Sequence, residues 1–300
     1  MTTFFNRVIL ALAIGIILAN LSPSHQASVA QQNGPGLKDT PSRYASLDGS
    51  RVHYKSYGQG REALVFVHGW TCNMSFWRGQ VPAFESKTRV IVIDLPGHGE
   101  SDKPHVDYTM DFFARSLDAV LRDAKVERAV LVGHSMGTPV IRQFYRKYPE
   151  KVLALVIVDG PLRPFADEAT MARFLDPLRG SNYSEAAGRL VDQMLAPMLS
   201  PALRQEIKSM MLAVPQYVAV SAMDGMAKTF VWGQDQISVP VLAVMTRMWP
   251  PDTEQYYRSI APKLDYQTWE NVSHFLMMDK PREFNEAVAM FLAKRNLLRK

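Results

Sequence analysis

Three observations predict an α/β fold with a mostly parallel central sheet flanked by helices. From Ala63 onward, short continuous apolar runs alternate with helix-forming stretches. Continuous rather than alternating hydrophobicity marks strands buried on both faces. One such run, Ala129–Val132, leads directly into Gly133-His134-Ser135-Met136-Gly137 and then into a helix-forming stretch, Pro139–Tyr148. This is a strand–sharp turn–helix junction. The alternation is interrupted once, from Arg163 to Trp232, by a helix-forming segment without a convincing strand. At about seventy residues it is too long for a plain loop.

Taken in order, the chain opens with Arg7, an apolar stretch Val8–Ala19 and the small-residue site Ser28-Val29-Ala30. That is the pattern of a secretory signal peptide over residues 1–30, with cleavage expected after Ala30 and a periplasmic or secreted product. The apolar stretch is shorter than the roughly 20 residues needed to span a bilayer, so no membrane span is expected after cleavage. An uncleaved N-terminal anchor is the alternative. Residues 31–43, rich in Gln, Gly and Pro up to Pro41, read as a flexible leader. Tyr44–Leu47 and Val52–Tyr57 flank Asp48-Gly49, a hairpin signal. The core then runs through 44–162. It has strands at Ala63–Val67, Arg89–Ile93, Ala129–Val132 and Val152–Val158, and helices at Phe76–Glu85, Asp111–Asp123 and Pro139–Tyr148. Residues 163–232 form the inserted helical segment. The core resumes over 233–300 with strands Val239–Thr246 and Asp265–Trp269 and helices Glu254–Ile260 and Pro281–Arg295.

Composition narrows the classes of function. The 300 residues are 47% hydrophobic and 21% charged, with a formal net charge of +5. This is ordinary for a globular domain large enough to hold a substantial core. Basic residues form no run interleaved with aromatics, so no nucleic-acid partner is expected. Cys72 is the only cysteine, which excludes an internal disulfide.

The chemistry is concentrated in a few residues. Ser135 sits at the centre of G-x-S-x-G, where Gly133 and Gly137 permit a tight turn that exposes its hydroxyl. A serine hydroxyl needs a base and an orienting group to act as a nucleophile. Of the seven histidines, His274, in the loop after the last strand, is the one whose position suits a base. His68-Gly69-Trp70 follows the strand Ala63–Val67, a turn able to aim the Trp70 N–H into a site. With the Met136 N–H it would form an oxyanion hole.

These motifs, together with Asp94-Leu95-Pro96-Gly97-His98-Gly99-Glu100-Ser101 and His274-Phe275, run in an order that resembles the α/β-hydrolase fold superfamily, in its serine hydrolase branch with a helical cap. The resemblance covers roughly residues 45–298 and implies the α/β-hydrolase fold with 163–232 as the cap. It also implies a Ser…Asp…His catalytic triad. The family usually carries the acid shortly beyond the strand that follows the cap, a slot that falls here around Trp249; the nearest acid, Asp252, comes about a turn later. Some capped relatives carry it one strand earlier, which points to Asp159. Either acid preserves the chain order, and both stay open. Asp159 also reads as a capping acid before Gly160-Pro161, and Asp252 as the N-cap of the following helix.

The sequence therefore predicts an exported serine esterase acting through an acyl-enzyme on a small-molecule substrate, without metal or cofactor. The inserted segment is rich in methionine (Met171, Met194, Met198, Met210, Met211, Met223, Met226). These suit an adaptable apolar pocket for hydrophobic esters or, equally, the segment's own core. Other chemistries on the same fold are C–C, lactone or amide hydrolysis and cofactor-free haloperoxidase or perhydrolase activity. A non-catalytic small-molecule sensor is the reading from a different class.

Overall fold

A computed structural model of the chain describes residues 37, 40–164, 166–195, 199–228 and 232–298. The expected signal peptide and most of the leader lie outside the described residues, as does Met198. An eight-stranded sheet is built from β1 (Arg43–Leu47), β2 (Ser50–Tyr57), β3 (Glu62–Val67), β4 (Arg89–Ile93), β5 (Arg128–His134), β6 (Val152–Val158), β7 (Val241–Thr246) and β8 (Leu264–Trp269), in the spatial order β1-β2-β4-β3-β5-β6-β7-β8. The β1–β2 hairpin and the β2–β4 pairing are antiparallel; every other pairing is parallel. The order reverses at β3, which lies between β4 and β5. In such sheets the crevice for a ligand opens at the carboxyl ends of the strands beside this reversal.

The central strands are apolar on both faces because both faces are covered. Val65, Phe66, Val130, Leu131, Val156, Ile157 and Ala243 are completely buried. Each larger side chain among them is worth roughly 1.5–3 kcal/mol relative to exposure. The helices are α1 (Val81–Phe84), α2 (Met110–Asp123), α3 (Gly137–Lys147), α4 (Glu168–Arg179), α5 (Tyr183–Met194), α6 (Pro201–Leu212), α7 (Gln216–Ala227), α8 (Thr253–Ile260), α9 (Leu276–Asp279) and α10 (Pro281–Lys294). The Thr109 side chain caps α2 by accepting from the Phe112 N–H, satisfying one of the orphan donors of its first turn.

One element differs from expectation. The helix read over Phe76–Glu85 is instead a 3₁₀ turn, Met74–Trp77, followed by the short α1. Asn73 starts the 3₁₀ turn by accepting from the Ser75 N–H. Pro82, without an N–H, is tolerated only in the first turn of a helix and so starts a new one.

Helices α4–α7 fill the interval between β6 and β7. The last of them is tied to the sheet's C-terminal loops. The Trp70 indole N–H donates to the Ala219 carbonyl at 2.8 Å, Ser221 Oγ accepts from the Tyr108 N–H at 2.9 Å, and the Tyr217 hydroxyl donates to the Lys103 carbonyl at 2.6 Å. Among the described residues no helix is long and apolar enough to cross a membrane.

Candidate active site

The tip of β5 turns sharply into α3, and Ser135 occupies the turn with φ +52°. A non-glycine residue held there carries backbone strain of order 1–3 kcal/mol that the surroundings must offset. They do so at close range. The Ser135 N–H donates to the Val158 carbonyl at 3.0 Å, and the Ser135 carbonyl accepts from the Thr138 N–H at 2.9 Å. Gly133 and Gly137 are required by proximity. A Cβ on Gly133 would lie 2.5 Å from the Gly137 oxygen, and one on Gly137 would lie 2.5 Å from the Val67 oxygen. The elbow is thereby pressed against the end of β3, which brings the His68-Gly69-Trp70 turn beside it.

His68 is fully buried and makes two directed bonds. Its Nδ1–H donates to the Gly69 carbonyl at 2.8 Å, and its Nε2 accepts from the Leu95 N–H at 3.0 Å. Burial lowers its pKa, so the ring stays neutral and keeps one donor and one acceptor. It ties the Gly69-Trp70 turn to the loop after β4. There Asp94 is itself buried, accepting from the Met74 and Glu100 N–H groups and pairing with His53 Nδ1 at 2.8 Å. Among the described residues, the backbone N–H groups of Trp70 and Met136 donate no hydrogen bond. Met136 is also the N-cap of α3, where the helix dipole is positive.

His274 lies across the elbow from this turn. Its Nδ1–H donates to Asp159 Oδ2 at 2.7 Å. Its Nε2 makes no hydrogen bond among the described residues, and the residue lines a small pocket with Trp70, Cys72, His134, Ser135, Met194, Met211 and Phe275. The pocket's cavity, about 10 Å³, is close to the least that admits a single water molecule. Two backbone bonds hold the His274 loop. Its N–H donates to the Met194 carbonyl at 3.1 Å, and its carbonyl accepts from His134 Nε2–H at 2.8 Å. His134 is fully buried, which keeps it well below the usual imidazole pKa and therefore neutral. With its Nε2–H committed to the His274 carbonyl, it serves as a tie between the elbow and the His274 loop.

The two carboxylates left open by the sequence lie in different surroundings. Asp159, at the tip of β6, is fully buried. Besides the His274 ring, its Oδ1 accepts the Thr246 N–H and the Trp249 indole N–H, both at 2.7 Å. Asp252 does not meet His274. It forms a two-pronged pair with Arg163, with contacts of 2.6 and 2.8 Å, and its side chain is 60% exposed. The Arg163 guanidinium holds its carboxyl below the usual range. As expected it is the N-cap residue of α8, though its side chain makes no capping bond.

Other pocket residues escaped the sequence reading. Cys72 is buried, as a small apolar residue would be, but it also lines the pocket, and burial pushes its thiol well above the ordinary range. Its place two residues beyond Trp70 was the available signal. Met194 and Met211 line the pocket, Met211 as a core residue too, whereas Met223 and Met226 are buried in the hydrophobic core without lining it. No local pattern separates the two groups.

Comparison with known proteins places this geometry in a family. The sequence model for the alpha/beta hydrolase fold matches residues 62–281. A pimeloyl-[acyl-carrier protein] methyl ester esterase of Vibrio campbellii is 31% identical over 172 residues, 55% of this chain and 64% of that one. Est816, described as an N-acyl homoserine lactone degrading enzyme, has a structure with a TM-score of 0.71 at 28% identity, covering 83% of this chain and 100% of its own. A thermophilic esterase from Thermogutta terrifontis gives 0.75 at 25% identity, over 85% of this chain and 99% of its own. The chain belongs to the α/β hydrolase fold family.

Proposed function

From that membership we propose that the protein is an exported serine hydrolase that cleaves small hydrophobic esters through an acyl-enzyme. One observation carries the reading. His274 is fixed by the buried Asp159 carboxylate at 2.7 Å and shares its pocket with Ser135, held on a left-handed turn.

The mechanism follows from the roles these groups can take. His274 Nε2 accepts the Ser135 Oγ proton as Oγ bonds to the acyl carbon, and the carbonyl π electrons move onto oxygen. The Trp70 and Met136 N–H groups stabilise that oxyanion. Each such donor is typically worth roughly 10²–10³ in rate. The imidazolium, stabilised by Asp159, gives its proton to the leaving alkoxide. Water, deprotonated by the same nitrogen, then releases the acid and frees Ser135. The Asp159 role is orientation and charge stabilisation; it keeps the Nδ1–H tautomer in place.

Beside Ser135 and His274, the pocket is walled by the side chains of Trp70, Cys72, neutral His134, Met194, Met211 and Phe275. They carry no charge, which favours neutral apolar acyl or alkyl groups. The likeness to Est816 favours lactones, which are cyclic esters, as a second substrate class. A chromogenic ester panel across acyl lengths, with homoserine lactones alongside, tests both. Turnover should be highest with short apolar acyl groups and absent in Ser135→Ala. Folded wild-type protein that cleaves none of these and takes up no organophosphonate would sink the proposal in favour of a sensor. Export is tested separately: protein recovered outside the cytoplasm should begin near Gln31, whereas an intact Met1 in membranes supports the anchor.

A further inference from the structure

Buried carboxylates need partners for both oxygens, and the partners of Asp159 come from two directions. His274 takes Oδ2, while Oδ1 accepts two N–H groups from the end of β7 and the loop beyond it, those of Thr246 and the Trp249 ring. Thr246 is a backbone donor set by the strand itself. The Trp249 indole is a side chain in the loop that also carries Asp252. Trp249 is partly buried against the core, beside the exposed Met248. Asp159 is at φ +44°, so its own backbone does not hold it in a relaxed position.

We infer that Trp249 is a positioning residue. Its indole N–H, donated to Asp159 Oδ1, fixes the rotation of the carboxylate so that Oδ2 faces His274 Nδ1. A carboxylate pinned at one oxygen by two donors cannot turn about its Cβ–Cγ bond without losing both. An indole N–H is also a donor that does not titrate. The loop after β7 thus contributes to the site through a donor aimed at the acid rather than through an acid of its own. This inference rests on the proposed role of Asp159.

The rate constant for phosphonylation of Ser135 by an organophosphonate tests it without knowledge of the substrate. Trp249→Phe keeps the aromatic bulk and removes the donor; it should slow labelling about 10- to 100-fold, the scale of one hydrogen bond to a charged group. Trp249→Gln restores an amide donor on a side chain of poorer shape and should label faster than the Phe variant. If Trp249 matters only by filling space, that order reverses, and the inference is overturned. The second arm is a double-mutant cycle. In an Asp159→Asn background, Trp249→Phe should cost less than threefold more, because the group it acts through is gone. Equal losses in both backgrounds overturn the inference while leaving Asp159 in its role. Wild-type labelling rates in Asp159→Asn alone would overturn that role, and the inference with it.

Discussion

Two strand ends, those of β6 and β7, each offer a carboxylate to the same histidine loop, and only one is built to receive it. At the β6 end, Asp159 is fully buried, strained in φ, and bonded to His274, Thr246 and Trp249. Beyond β7, Asp252 is exposed and paired with Arg163. An exposed pair of this kind is held loosely by solvent-screened attraction, typically worth about 0–1 kcal/mol. Burying a carboxylate is costly unless it is hydrogen-bonded, and Asp159 accepts three such bonds. Residue type and chain order before His274 are the same for both, although Asp159 follows its strand directly and Asp252 comes six residues after its own. Burial and partner set separate them.

The largest effect is expected at the two carboxylates themselves. Asp159→Asn should lower kcat for a chromogenic ester by about 10⁴, the effect of removing the orienting acid from such a triad. Asp252→Asn should leave kcat within a few-fold of wild type. Steady-state kinetics of the two purified variants check this, and a reversal would move the acid to the β7 loop.

A smaller effect is expected from crowding the β6 tip. A Cβ on Gly160 would come within 2.7 Å of the Ser135 carbonyl oxygen and 2.0 Å of Thr138 Oγ1. The hydroxyl can rotate away, but the backbone oxygen cannot. Gly160→Ala should therefore cost about 1–3 kcal/mol of stability, read by urea unfolding, and lower turnover because the elbow and Asp159 move together. Unchanged turnover would mean that the two are not coupled through this contact.

The buried side of the molecule also sets its response to acid. Burial depresses the pKa of His98 to about 3 and lowers those of His68 and His134. In the unfolded chain each would titrate near 6.5. Their contribution is thus complete above pH about 6.5 and is lost as pH falls from there toward 3, because the unfolded state binds the protons. Each such group adds a slope of up to about 1.4 kcal/mol per pH unit. Urea unfolding at pH 7.5 and 5 should show this loss, and His98→Gln should flatten it. Asp252 behaves differently: its carboxyl is lowered by Arg163, so its small contribution persists above pH about 4 and disappears only below it. Asp252→Asn at neutral pH should change stability by less than about 1 kcal/mol.

What could be read from the sequence follows from which features are local. The alternation of buried strands and helices is written in hydrophobic runs, and the elbow is written in five consecutive residues, so both could be placed. His274 could be singled out by its position after the last strand. The choice between Asp159 and Asp252 could not, because it depends on how parallel β6 and β7 align. That alignment sets the Asp159 N–H on the Val244 carbonyl and brings Thr246 and Trp249 to its carboxylate. The split helix near Trp77 was missed for a different reason. Pro82 falls at the seventh position of the helix read from Phe76, where a proline breaks a helix, and the Asn73 cap marks the separate turn that precedes it. The methionines that reach the pocket, Met194 and Met211, belong to a segment whose helices have no strand register to anchor them.

In the proposed mechanism Asp159, through His274, activates Ser135. Mass spectrometry of tryptic peptides after organophosphonate treatment, with labelling rates for wild type, Asp159→Asn and Asp252→Asn, measures that activation directly and needs no natural substrate. One adduct is expected, on the peptide that carries Ser135. Asp252→Asn should label at the wild-type rate, and labelling of Asp159→Asn should be slowed by orders of magnitude. An adduct on another residue, or a loss confined to Asp252→Asn, would contradict that mechanism.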